Sequence, residues 1–306
     1  MAAQPEEGGI LRWFLSGRWQ AGVSTAVLFS LAGRVPFLAG LLLLNCVALV
    51  ALVTLQAGRK ESLEVLLIAG VTSALFMLNP WYGVAFALVA WLPGRLLGEG
   101  LRWGAEWDGV VWVIIGLSLV VLVLSLWVIP QGAGPSFWQT QIAHLLAPAR
   151  KDLSSTQRQM LGEMARLMPG ILATGLTILW ALAALLASRW RERLQGVAAP
   201  QRVFRDWVLP DALIWLLAAT LLGVGLLHGG ALWPVQNLAI LIGGFYLLQG
   251  LSLVHLWFAL RGWPLFALVA FYVGVILLSQ LLLVISVLGV LDRVFHLRQR
   301  FVRSRS

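Results

Sequence analysis

Four polar side chains, Asn237, Gln249, Ser252 and His255, interrupt one long apolar run, and polar atoms in such a setting need partners. At about 100° per residue, Asn237 and His255 project in the same direction, with Ser252 about 60° and Gln249 about 120° away. They form one broad polar stripe whose donors and acceptors suit ligand binding, as the wall of a cavity for a small solute. The competing role is structural, with interhelical hydrogen bonds of about 1 kcal/mol each. Gly243 and Gly250 let a neighbouring helix pack closely beside the stripe.

A second group is cationic. Arg189, Arg191, Arg193, Arg202 and Arg205 make the densest internal basic stretch, and Arg293, Arg298, Arg300, Arg303 and Arg305 make a basic tail. Guanidinium groups at membrane boundaries contact lipid headgroups or acidic partners. Catalytic and nucleotide signatures are missing: no GxxxxGK[ST], no HExxH and no GxSxG. His144, His228, His255 and His296 are too dispersed for a local metal motif, and Cys46 is the single cysteine. The reading is therefore of a non-enzyme with no cofactor and no metal. Carboxylates such as Glu61, Glu99, Asp206, Asp211 and Asp292 fall near segment ends, which argues against a proton relay inside a bundle.

The elements that hold these residues follow from composition. Of 306 residues 60% are hydrophobic and 11% charged, which excludes an ordinary soluble domain. Unbroken apolar runs such as Leu41 to Leu44 and Leu119 to Leu124 lack the alternation of a membrane barrel, leaving helices as the spanning element. The net charge of +9 is carried at helix ends and in loops, so it reports membrane topology and no nucleic-acid partner. The fold class is all-α, a polytopic transmembrane bundle of about eight to ten segments, some short or broken. It forms a single integral membrane domain over 1–306.

Segments run from Gln20 to Leu31, Phe37 to Ala57, Leu63 to Leu78, Trp81 to Leu92 (ending at Pro93 and Arg95) and Gly109 to Ile129. Further segments run from Met168 to Ala187, Ala212 to Leu227, Val235 to Leu260 and Pro264 to Leu291. Between the fifth and sixth lies an amphipathic, interfacial insert at about 131–166, in which Ser136 caps one helix and Ser154 with Gln157 forms a capping box for another. Tryptophans at segment ends, including Trp103, Trp112, Trp127, Trp207, Trp233 and Trp263, read as interfacial anchors. Glu6 and Glu7 before Arg12 do not suit a cleaved signal peptide.

The positive-inside rule puts the Arg189–Arg205 stretch and the tail on the cytoplasmic side, yet an odd number of segments separates them. The last segment resolves this. As one helix its 28 residues would be about 42 Å long against a core of about 30 Å, so a bend near Ser279 and Gln280 into a short hairpin is predicted. Both termini are then cytoplasmic, in a bacterial inner membrane.

Three stretches carry a family resemblance: LASRWRERLQGVAAPQRVFRDWVLPDALIWLL from Leu186, FYLLQGLSLVHLW from Phe245 and LGVLDRVFHLRQR from Leu288. With GRWQAGVSTAVLFS and VALVTLQAGRKESL, they resemble the YybS-like family of uncharacterised bacterial integral membrane proteins. Val197 to Gln201 stand where that family has an Asn-Pro-Gly-Gly turn. The layout is distantly similar to substrate-binding subunits of vitamin transporters and to the cell-shape protein MreD. In the former, small residues spaced four apart dock the energising partner; Gly22, Ala26 and Ser30 have that spacing, which equally suits packing inside the chain.

The leading expectation is a solute-binding, transport-like membrane protein without its own ATPase, its partners being the lipid bilayer, a small solute and a cytoplasmic protein. Its alternative is a structural or scaffolding protein acting through the Arg-rich loop and tail.

Overall fold

Where charge falls decides which apolar runs become long helices. The computed structural model describes residues 9–103, 107–128, 133–145, 154–195 and 204–303, which are mostly helical with no strand among them. They fall into two compact units, one of 1–114 with 179–204 and the other of 115–178 with 205–306.

The first unit begins with α1 (Gly9–Leu15), α2 (Arg18–Arg34), a 3-10 turn at Pro36–Leu38 and α3 (Ala39–Gln56). The gap between the first two segments is realised as a break at Val35 and Pro36, with Arg34 the last residue of α2. Then come α4 (Arg59–Phe76) and α5 (Trp81–Phe86), a π-turn at Ala87–Trp91, α6 (Leu92–Trp103) and the start of α7 (Asp108–Val123). Every residue from Cys46 to Leu55 is buried, so α3 is the centre of the unit, apolar all round because other helices surround it. Gly22, Ala26 and Ser30 are buried on α2, with Gly22 against Ile68 of α4; the small-residue face is used inside the chain.

One expectation fails here for a clear reason. Pro93 does not end the fourth segment; helix continues from Trp81 to Trp103. A proline inside a helix removes one N–H bond and clashes with the preceding turn, and the π-turn just before Pro93 provides the extra room.

In the second unit, a π-turn at Leu124–Val128 ends the α7 span, and α8 (Pro135–Leu145) and α9 (Ser155–Arg166) form the insert. Ser154 and Gln157 close the predicted capping box in both directions, at 3.2 and 2.8 Å. Ser136 does not cap: Pro135 takes the first helical position and the Ser136 hydroxyl donates to the Ala133 carbonyl. Next follow α10 (Met168–Gln195), whose later residues belong to the first unit, and α11 (Ala212–Leu226). The chain ends with α12 (Leu232–Arg261), α13 (Leu265–Leu277), α14 (Gln280–Phe295) and α15 (Leu297–Arg303).

The last long segment is bent by 116° between α13 and α14, at the step where Ser279 and Gln280 were expected to break it. Helix α13 buries none of its residues, and Leu265, Phe266, Ile276 and Leu277 are strongly exposed, the pattern of a face meant for acyl chains. By contrast α14 packs tightly on α12: a Cβ at Gly250 would run into the Ile285 carbonyl, and one at Gly289 into the Tyr246 carbonyl. Gly243 meets no neighbour, and Gly244 takes the close approach instead, against Thr174 of α10.

Among the described residues, five helices are long and apolar enough to span a bilayer, or six with the bent pair taken as one span. That is fewer than the eight to ten segments expected from the sequence, and of the shorter helices described α11 is apolar. Helix α2 has 17 residues between Arg18 and Arg34, α4 starts with Arg59, Lys60 and Glu61, and α11 has 15 residues.

Candidate functional site

The polar stripe on α12 is real, and its members divide between three separate structural tasks. Asn237 is 0% exposed. Its Oδ1 accepts from the Gly170 amide at 2.7 Å, in the first turn of α10 where helical N–H groups lack intrahelical partners. Its Nδ2 donates to the Arg166 carbonyl at the end of α9, at 3.1 Å, and to Trp233 O at 2.9 Å. Trp233 Nε1 also donates to Arg166 O, at 2.6 Å. Asn237 therefore joins the end of one helix to the beginning of the next.

Lower on α12, Gln249 and Ser252 enter a buried network around the segment 205–209. Gln249 Oε1 accepts from the Leu209 amide at 3.2 Å, and Nε2 donates to Asp292 Oδ2 at 3.1 Å. Ser252 Oγ donates to the Arg205 and Trp207 carbonyls. Arg298 of α15 closes the network. Its guanidinium donates to the carbonyls of Arg205 and Trp207, to Ser252 Oγ and to Asp292 Oδ2, while its amide donates to Asp292 Oδ1. Burial pulls the Arg298 pKa below its ordinary value, and the carboxylates of Asp292 and Asp206 oppose that. Beside it, Arg293 pairs with Asp211. The network is a clasp that holds 205–209 and α15 against α12 and α14.

His255 has partners on its own turn and on α13. Its Nδ1 lies 2.9 Å from the Leu251 carbonyl, and Nε2 lies 3.4 Å from the Tyr272 hydroxyl on α13.

The first unit carries a different chemistry, gathered where α3 ends. Glu99 of α6 is buried and held by Arg59 at 3.2 Å and by Arg95 at 3.3 Å. The Arg95 guanidinium also lies over Trp91, whose Nε1 donates to Ser62 O at 2.7 Å. Arg102 donates to Thr54 O in the last turn of α3, the end of a helix that favours cations. Two cavities open there. One of about 620 Å³ is lined by Ala57, Gly58, Arg59, Lys60, Glu61, Glu99, Arg102 and Trp103. The other, about 470 Å³, has Arg12, Leu55, Gln56 and Arg191 in its wall.

A family model described as predicted membrane protein (DUF2232) matches residues 23–293. The chain belongs to the DUF2232 family. No curated protein and no solved structure matches the chain. The DUF2232 match takes in Gln249, Ser252 and Asp292 of the clasp and all of α3, α4 and α6, and it makes the chain an integral membrane protein; Arg298 lies beyond it.

For this DUF2232 chain the predicted cationic residues are spread out. Arg189 and Arg193 are exposed on the last turns of α10, Arg191 lines the smaller cavity, Arg205 gives its carbonyl to the clasp, and Arg202 lies outside the described residues. Sequence reasoning treated Glu99, Asp292 and Arg298 as ordinary segment-end charges. The Arg95–Glu99 spacing of four was a readable sign of the first; Asp292 and Arg298 pair with each other six positions apart, but their other partners, Gln249, Ser252, Arg205 and Trp207, lie 40 or more positions away and leave no local pattern. Trp207 and Trp233 are buried, so they serve packing and bonding in place of the anchoring expected of them.

Proposed function

We propose that this protein is a non-enzymatic membrane scaffold that works through a basic cytoplasmic end, engaging anionic lipid headgroups and organising what collects there. The observation that carries this reading is the division of labour between polar groups. Asn237, Gln249, Ser252 and His255 each have partners within the chain, whereas the cations around the end of α3 border open cavities. A transport-like role with a solute on the α12 stripe would need those same side chains to give up their bonds.

The topology that supports the reading has α2, α3, α4, α5 with α6, α7, α10, α11 and α12 each crossing once. The bent pair α13 and α14 then enters from the cytoplasmic side and returns. At about 1.5 Å per residue α13 spans about 20 Å and α14 about 24 Å, short of a core of about 30 Å, as suits a re-entrant pair. This arrangement puts Arg59, Lys60, Arg102, Arg189, Arg191, Arg261 and the tail on one side, in keeping with the positive-inside rule. It also leaves the α8–α9 insert on the outer face, lying in the interface. A bacterial inner membrane, and kinship with the YybS-like proteins, belong to the same reading.

The test is lipid composition around the protein extracted in native nanodiscs. Anionic phospholipid should be enriched relative to the bulk membrane, and changing Arg189, Arg191 and Arg193 together to Gln should lower that enrichment. Gln249→Leu should lower thermal stability and leave the enrichment intact. If the Arg variant keeps full enrichment, the scaffold reading is wrong.

A further inference from the structure

The geometry points to the larger cavity at the junction of α3, α4 and α6 as a binding site for a phosphate group, with the headgroup of an anionic phospholipid as its source. The inference rests on the scaffold reading and gives it one defined site.

The cavity walls supply three cations, Arg59, Lys60 and Arg102, against two carboxylates, Glu61 and Glu99. Glu99 is already neutralised twice, by Arg59 and by Arg95 from outside the cavity wall. What is left facing the space is an excess of positive charge from Lys60 and Arg102. Among the described residues Arg102 makes one weak bond, 3.4 Å to Thr54 O, which leaves guanidinium N–H groups for the bidentate contact that phosphate oxygens accept. The remaining carboxylate, Glu61, weakens the site and offers a way to test it.

Backbone geometry adds to the charge on the α4 side, while Arg102 screens the C-terminal carbonyls of α3 on the other. Gly58 sits at φ 103°, a conformation that side chains rarely adopt, and the turn it makes brings Arg59 to the first position of α4. No side chain caps that helix, so its first amides join the positive dipole end at the cavity wall. A Cβ on Gly58 would lie 3.6 Å from Arg102 Nη1, which places the α6 guanidinium directly beside the N-terminal turn of α4. A volume of about 620 Å³ admits a headgroup phosphate with its glycerol, or a free phosphate with water.

The source is argued from depth. Trp103, 70% exposed, forms part of the wall, and an indole of that exposure at a helix end belongs at headgroup level. A phosphate held beside it comes from the leaflet, whose acyl chains can lie along the exposed apolar faces of α2 and α4 at Val27, Leu67 and Val71.

The experiment uses the full chain in detergent, with phosphatidylglycerol added and bound lipid counted by native mass spectrometry. Lys60→Gln with Arg102→Gln should weaken retention of phosphatidylglycerol on the order of twentyfold, from the contribution of each cation near headgroups. Glu61→Gln, which removes the opposing charge, should strengthen it, and this gain cannot arise from misfolding. In a parallel arm, inorganic phosphate alone is titrated against the parent. Protection from heat by phosphate that is lost in the double variant would keep the anion site and move its source to solution. Unchanged retention in the double variant together with no effect of Glu61→Gln overturns the site. The scaffold reading fails separately, on the Arg189, Arg191 and Arg193 variant.

Discussion

Gln249 on α12 donates from Nε2 to Oδ2 of Asp292 on α14, at 3.1 Å, where both residues are buried. The same glutamine accepts from the Leu209 amide, so one side chain connects three parts of the chain. A solute-binding residue would hold such atoms in reserve. Gln249 instead has both of its polar atoms, Oε1 and Nε2, bonded within the chain.

Gln249→Leu is close in volume and removes both bonds, leaving the Leu209 amide without its acceptor and Asp292 Oδ2 with Arg298 alone. Thermal unfolding in detergent should show a loss of about 1–3 kcal/mol. A variant as stable as the parent would mean that water or another group replaces the side chain at no cost.

Asp292→Ala should be worse, at about 3–5 kcal/mol, because it removes the buried carboxylate that pairs with the half-buried Arg298 guanidinium. Pairing it with Arg298→Met should recover part of that loss, since two removed charges cost less than one left alone. The check is a double-mutant cycle on melting, and simple additivity of the two changes would contradict the clasp.

Gly289→Val sets a branched Cβ against the Tyr246 carbonyl and should separate α12 from α14. Overpacking of this kind costs about 1–3 kcal/mol, and a loss of helix-pair crosslinking between the two should accompany the drop in melting temperature.

Asn237→Leu releases the Gly170 amide and leaves the Arg166 carbonyl to Trp233 Nε1 alone. Amide exchange at Gly170 should rise well above the parent's while that of the clasp at Leu209 stays as it was. Equal protection at Gly170 would show that the bond is dispensable. The effect is local because Asn237 and Gln249 serve different parts of the unit.

Much of this was written in local sequence. The Ser154 and Gln157 capping box needs only a spacing of three, and the bend at Ser279 needs only a run too long for the bilayer with polar residues inside it. The α12 stripe was legible for the same reason, since helical periodicity puts Asn237 and Ser252 on one side before any neighbour is known. Their partners were not legible. Arg298 reaches Trp207 across 91 positions, and no periodic pattern encodes a contact of that range. Pro93 misled because the π-turn that accommodates it uses ordinary apolar residues, Ala87 to Trp91, with no signature of their own. Trp207 and Trp233 misled because a buried indole and an interfacial one look alike until the packing is known.

The central claim is that the basic residues face the cytoplasm and that α13 with α14 enters and leaves on that same side. Cys46 is the single cysteine, so Cys46→Ser provides a background for membrane-impermeant thiol labelling in intact cells. Gly230→Cys, between α11 and α12, serves as the position labelled from outside. The decisive measurement is Arg300→Cys: the account predicts labelling only after the membrane is opened, matching Trp263→Cys before the bent pair. Labelling of Arg300→Cys in intact cells, with Trp263→Cys still protected, would make the pair a full crossing and put the tail outside, contradicting the claim.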